Sequence, residues 1–213
     1  MEEKFEIFYI RHGDTSGLNY EERDTCDVNL SETGLKQAEL LGERFAGCEF
    51  DAVFSSPLVR CVRTATAVCN RLKERPVIEI LPQIIENGST YGYFGTGLDY
   101  LSRYYDKLTL NEDMPLMYDN LKDEDNDERA RAVIKYFRER FTYGQKIIVF
   151  AHGSFGNHFL PQAVEMGEGN YILSINNTSV SKVKYTTDGK QRLSFVNDFS
   201  HLRPLMPDYE FTV

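Results

Sequence analysis

Basic residues are scarce in this 213-residue chain: 24 Lys and Arg stand against 33 Asp and Glu, giving a formal net charge of −9 and a pI near 5.0. Affinity for a phosphate backbone comes from clustered Lys and Arg, so the balance weighs against a nucleic-acid binder, and an acidic surface also disfavours anionic membranes. No apolar run approaches the length of a membrane span, and Met1-Glu2-Glu3-Lys4 is acidic where a secretory leader needs a basic start. The four cysteines, Cys26, Cys48, Cys61 and Cys69, form no CxxC pair. They are expected as reduced thiols of a cytoplasmic protein, with Cys61 and Cys69 spaced to share a helix face. Only four histidines occur, with no HExxH or comparable ligand spacing, so neither a metal nor a cofactor is expected. Internal repeats, low-complexity tracts and strong linkers are missing too. With 41% hydrophobic content the chain can bury one sizeable core, which predicts a single domain over residues 1–213.

Against that background one stretch stands out. Phe5-Glu6-Ile7-Phe8-Tyr9-Ile10 is β-branched or aromatic and breaks within one residue into Arg11-His12-Gly13. Such a run, bounded by a glycine turn, predicts a buried strand whose end is rigidly held. Arg11 offers a planar fork of donors for phosphate or carboxylate oxygens, and His12 an imidazole able to act as nucleophile, base or ligand. In isolation an Arg-His pair is more simply a strand cap and a surface cation. The rest of the chain changes that reading.

The following loop holds Thr15 and Asn19, candidates for ligand contacts or plain loop residues. Ser31 caps a predicted helix in which Leu35, Ala38, Leu41 and Phe45 recur at helical spacing until Gly47. Asp51 to Ser56 predicts a short strand stopped by Pro57, which suits the first turn of a helix running from Leu58 to Leu72. Arg60, Arg63 and Thr64 fall on or near one face of it. Val77 to Leu81 predicts a third strand, and Ile84-Ile85 leads to Glu86, a candidate acid or base or simply a strand-end charge facing water.

From Tyr91 to Asn120 the composition shifts to tyrosine, glycine and acids, predicting an inserted cover over about residues 87–126, its second half partly helical. Asp127 is placed to cap a helix carrying Ala130, Val133, Ile134, Phe137 and Phe141 at offsets 0, 3, 4, 7 and 11. Lys146 to Ala151 is the clearest strand and ends at His152-Gly153-Ser154, repeating the grammar of the first. Asp188-Gly189 joins a terminal hairpin, and the tail with Pro204, Pro207 and the residues after them looks peripheral. The fold expected is α/β: a three-layer sandwich with a mostly parallel central sheet flanked by helices. His158 and His201 are assigned structural roles.

Several of these segments together resemble the histidine phosphatase superfamily, the group that includes cofactor-dependent phosphoglycerate mutases. Arg11-His12-Gly13-Asp14-Thr15 is similar to its N-terminal signature, and Leu30-Ser31-Glu32-Thr33-Gly34 with Gln37-Ala38 to its first-helix motif. Ser55-Ser56-Pro57-Leu58-Val59-Arg60 with Thr64-Ala65 resembles the second arginine motif, Ala151-His152-Gly153 the second histidine motif, and Asn177-Thr178-Ser179-Val180 the strand after it. The spacing from His12 to Asn19 is one residue longer than the family usually has, and Glu86-Asn87-Gly88-Ser89 lacks the usual downstream aromatic-Glu-Gly.

The resemblance implies phosphoryl transfer through a phosphohistidine on His12. Arg11, Arg60 and a protonated His152 would hold the phosphoryl oxygens, and Glu86 would serve as acid and then base. Asn19, Thr15, Gly153, Ser154 and Tyr91 would contact substrate. Between Asn87 and Asp125 three cations (Arg103, Lys107, Lys122) meet eight acids, a cover that would repel the second phosphate a mutase must hold. A metal-independent phosphatase acting on a small phosphorylated metabolite is therefore expected ahead of a mutase or a non-catalytic phospho-ligand module. Assembly into a homodimer stays open.

Overall fold

The computed structural model describes residues 3–16, 27–87, 97–114, 124–167 and 172–206. In chain order the elements are β1 (Glu3–Arg11), α1 (Glu32–Arg44), β2 (Ala52–Ser55), α2 (Val59–Cys69), β3 (Ile78–Ile80), α3 (Leu98–Leu101), β4 (Leu108–Leu110), α4 (Glu124–Arg140), β5 (Gln145–Ala151), α5 (Gly153–Ala163), β6 (Val180–Thr186) and β7 (Gln191–Asp198). Short 3-10 turns follow β3 at Pro82–Ile84 and β7 at Ser200–Leu205. The strands form one mixed sheet in the order β4-β3-β2-β5-β1-β6-β7. From β4 to β1 every pairing is parallel, and the β6–β7 hairpin closes the far side antiparallel.

The period of two along each strand builds the layers. Phe5, Ile7 and Tyr9 of β1, with Ile147, Val149 and Ala151 of β5, pack beneath α4 and α5, against Val133, Phe137, Phe155 and Phe159. The alternate residues Ile10, Ile148 and Phe150 face α1 and α2, meeting Leu41, Val62 and Ala65. Apolar residues are therefore needed on both faces of β1 and β5. Burying each such side chain contributes about 1.5–3 kcal/mol, which is why these two strands read so clearly.

Ser31 caps α1 as its side chain accepts from the Gly34 amide at 3.0 Å. Gly34 itself lies so close to Asp14 that a Cβ would come within 2.1 Å of its carbonyl oxygen, so the loop after β1 is fastened to the start of α1.

Two expectations are corrected. The described part of the cover is not only a lid: β4 pairs in parallel with β3 and extends the sheet, in a strand too short for its period to register. Helix α4 begins at Glu124, so Asp127 lies inside it rather than capping it, and its carboxylate meets His158 Nδ1 at 2.8 Å. Just after β7 the chain packs back on the core through the buried Leu202, and Arg44 of α1 holds Asp198 at the end of β7 at 2.5 Å, whereas residues 203–205 are exposed.

Candidate active site

Parallel pairing brings the carboxyl ends of β3, β2, β5 and β1 to one edge of the sheet, the place where open α/β sheets bind ligands. Arg11 is in register with Ala151, so the residue after each, His12 and His152, emerges side by side. The His12 amide donates to the Ala151 carbonyl at 3.0 Å. The two rings lie edge to face, with centroids 5.2 Å apart and an interplanar angle of 63°.

His12 is held in one tautomer. Its Nδ1 lies 2.7 Å from the Gly13 carbonyl oxygen, which can only accept, so Nδ1 carries the proton and Nε2 carries the lone pair. Nε2 makes no hydrogen bond among the described residues. Burial pushes the His12 imidazolium well below the usual histidine range, and the neighbouring Arg60 and Arg11 charges push it further. The ring is thus neutral at neutral pH, the form a nitrogen nucleophile requires.

The backbone around it is clasped from the strand side. Asn177 Nδ2 donates to the His12 carbonyl at 2.9 Å, and the Thr178 amide donates to the carbonyls of Arg11 and His12 at 3.0 and 3.3 Å. Thr178 does this at φ +56°, a left-handed conformation that is costly for a β-branched residue, by about 1–2 kcal/mol. The Gly13 amide in turn donates to Thr64 Oγ1 at 3.1 Å.

Arg60, in the first turn of α2, is 7% exposed, and its guanidinium makes no ion pair or hydrogen bond among the described residues. It is the strongest neighbouring charge acting on both His12 and His152. A buried cation without a counterion is costly, and this one, with none among the described residues, is in a state to receive an anion. Arg11 anchors one end of its fork on the Ile175 carbonyl at 2.6 Å and leaves its buried Nε unpaired. Gly153 permits that placement, since a Cβ there would lie 3.1 Å from Arg11 Nε.

His152 is fully buried, with Ser56 Oγ 2.8 Å from its Nε2 and the Cys61 thiol packed against the ring at 3.5 Å. Burial first, then Arg60 and His12, hold it well below the usual range, so in the free site it is neutral rather than protonated. The expected positive charge needs a bound anion to offset the surrounding arginines. Cys61 is likewise buried and its thiol pushed far up, so it serves as packing.

Glu86 reaches the same edge by an unforeseen route. It follows the 3-10 turn after β3, and its Oε1 accepts from the amides of Asn87 and Phe155, both at 3.0 Å, while Oε2 lies 3.4 Å from the Ser154 amide. The carboxylate therefore sits on the amino end of α5, where unpaired amides and the helix dipole favour an anion. The same helix starts directly after His152. Its charge is also felt at Arg11.

Five of the expected residues, Arg11, His12, Arg60, Glu86 and His152, thus converge with Gly153. Ser154 is exposed and contributes its backbone amide to Glu86, and Thr15 is half-buried in the loop after His12. Asn19 and Tyr91 lie outside the described residues. Sequence reasoning quoted Ser56, Thr64 and Asn177 within motifs but gave none of them a role; Ser56 directly follows β2, Thr64 lies within α2 and Asn177 precedes β6. Among the described residues no cluster of His, Cys, Asp and Glu is arranged to hold a metal ion, and no helix is long and apolar enough to cross a membrane.

Comparison with known proteins agrees with this geometry. A probable phosphatase of Schizosaccharomyces pombe is 26% identical over 211 residues, covering 92% of this chain and 94% of the relative. A 2,3-bisphosphoglycerate-dependent phosphoglycerate mutase of Methanococcus vannielii is also 26% identical, over 90% and 95% of the two chains. Among solved structures, a putative alpha-ribazole-5'-P phosphatase of Escherichia coli superposes with a TM-score of 0.66 at 19% identity, covering 92% of this chain and 98% of that one. The family profile described as Histidine phosphatase superfamily (branch 1) matches residues 7–198, and the chain belongs to that superfamily.

Proposed function

We propose that the protein is a metal-independent phosphatase that hydrolyses a small phosphomonoester through a phosphohistidine on His12. The observation that carries this reading is the pairing of a neutral, tautomer-fixed imidazole with a buried arginine, Arg60, that has no counterion among the described residues. In the first step the Nε2 lone pair attacks phosphorus and the ester P–O bond breaks. Glu86, having taken up a proton as the anionic substrate enters, gives that proton to the leaving oxygen. In the second step water attacks phosphorus, passes a proton to Glu86, and the P–N bond breaks with its electron pair returning to Nε2. Arg11, Arg60 and His152 hold the phosphoryl oxygens while charge is redistributed, which is most of what the reaction asks of a protein. The positive charge on the phosphorylated ring is met by the Gly13 carbonyl.

The relatives include both a phosphatase and a mutase, and the cover favours the first. Of its three cations, Arg103 stacks on Tyr100 at 4.9 Å and Lys107 donates to the Arg75 carbonyl at 3.0 Å. Both are engaged within the protein, and Lys122 lies outside the described residues. The Methanococcus relative keeps the mutase as the second reading. Free thiols at Cys48, Cys61 and Cys69 are in keeping with a cytoplasmic setting.

The test is phosphate release from a broad panel of phosphomonoesters with a chelator present, comparing the natural protein with His12→Ala. Release by the natural protein alone is expected. Phosphoglycerate interconversion primed by the bisphosphate and outrunning phosphate release would overturn the phosphatase reading.

A further inference from the structure

The Glu86 turn is gripped from α4. Arg129, on α4, is 7% exposed. Its Nη1 donates to the carbonyls of Gln83 and Ile85, both at 3.1 Å, and its Nη2 to Asn87 Oδ1 at 2.7 Å and Asn126 Oδ1 at 2.6 Å. The guanidinium carbon also lies 4.9 Å from the centre of the Phe155 ring. Glu86 lies between Ile85 and Asn87, and Phe155 is the residue whose amide donates to Glu86 Oε1 at 3.0 Å. One side chain therefore fixes the backbone before the carboxylate, the side chain after it, and the residue that holds it from α5.

We infer that Arg129 is the positioning residue for the acid–base carboxylate, clamping the Glu86 turn against the amino end of α5 so that the carboxyl faces the phosphoryl pocket. The inference rests on the phosphatase reading above. A planar fork suits the task because its donors diverge at fixed angles onto several carbonyls at once, whereas a lysine supplies one point of charge. A buried guanidinium that gives three hydrogen bonds to one turn, to Gln83, Ile85 and Asn87, restrains that turn's conformation, and a displacement of about 1 Å at a reacting group is enough to cost about 100-fold in rate.

Leaving-group dependence separates this role from a general structural one. An aryl leaving group such as p-nitrophenolate departs without a proton, whereas an alkoxide requires the acid. The second-order rate constant kcat/KM reports the steps up to leaving-group departure, so hydrolysis of the phosphoenzyme does not blur the comparison. For Glu86→Gln, kcat/KM on an alkyl phosphate should fall by about 100-fold or more while p-nitrophenyl phosphate changes by less than about 3-fold. Arg129→Met should reproduce that selectivity with a loss of about 10- to 100-fold on the alkyl ester. The double variant should match Glu86→Gln alone, because a carboxylate that is gone cannot be misplaced. A change acting through His152 or the phosphoryl pocket would instead fall equally on both substrates.

Equal losses on both esters for Arg129→Met, or losses that multiply in the double variant, would overturn the inference while Glu86→Gln still discriminates. If Glu86→Gln itself fails to discriminate, the acid–base assignment falls and the inference falls with it. Should Arg129→Met not fold, Arg129→Lys, which keeps the charge but not the fork, is read on the same two substrates and should show the same selectivity in weaker form.

Discussion

His12 and His152 follow the same local pattern, an apolar strand running into histidine and glycine, yet the two are held for different work. After β1 the chain turns into a loop, so His12 is anchored through its carbonyl by Asn177 and Thr178 and keeps Nε2 free of hydrogen bonds among the described residues. After β5 the chain enters α5 at once, and His152 is its N-cap residue, at φ −128° and ψ 165°. Its carbonyl accepts from the Tyr9 hydroxyl at 2.7 Å and the Gly156 amide at 3.1 Å, and no part of it is exposed. What comes after the strand, rather than the strand, decides which histidine keeps an unbonded Nε2 among the described residues and which is enclosed.

The comparison breaks most sharply under alanine substitution. His12→Ala should lower phosphate release by about 10⁴-fold or more and abolish an acid-labile phosphoenzyme, because the nucleophile is gone. His152→Ala should cost about 10²- to 10³-fold and still yield a phosphoenzyme on rapid quench, since only stabilising contacts are lost. If both variants lack the phosphoenzyme, the division of labour proposed here is wrong.

A second effect concerns stability. Both rings are neutral in the folded protein, held below their usual range, whereas in the unfolded chain they titrate near 6.5. Below that pH the unfolded state binds more protons, so stability is full above 6.5 and lost as pH falls, by up to about 1.4 kcal/mol per unit per histidine. His201, brought down to about 4 by burial and Arg44, adds to the same slope until that pH. Urea midpoints at pH 7.5 and 5.5 should differ accordingly, and a flat profile would contradict the assigned protonation states.

The smallest effect sharpens the contrast. Ser56→Ala removes the hydroxyl beside His152 Nε2 and should lower kcat by about 10-fold, the worth of one buried hydrogen bond, while leaving phosphorylation at His12 intact. A loss as large as that of His152→Ala would mean that Ser56 touches the reacting group itself.

The two histidine strands were legible because a strand buried on both faces is apolar along most of its length, and α1 because Ser31 and a helical period mark it. The candidate site was legible in its residue types and motifs, since each lies at the end of an element that reads clearly. Glu86 could be singled out but not placed, because the amides that hold it belong to residues 68 and 69 positions later. Arg129 was invisible: in a helix rich in charge an arginine reads as solvated, and only the packing of α4 on the turn after β3 reveals it as buried. Likewise β4 offers three residues, too few to reveal a period.

The order of strands carries one more consequence, for how the chain is made. β1 and β2 are never neighbours; β5 lies between them, and it is the strand synthesised last of the three. Neither histidine pocket nor central sheet can exist until Gln145–Ala151 has left the ribosome and threaded into place, a long-range pairing of the kind that folds slowly. Until then the nascent chain carries two apolar strands, each with a bare edge awaiting the same absent partner, and these are the edges along which such chains stick to one another.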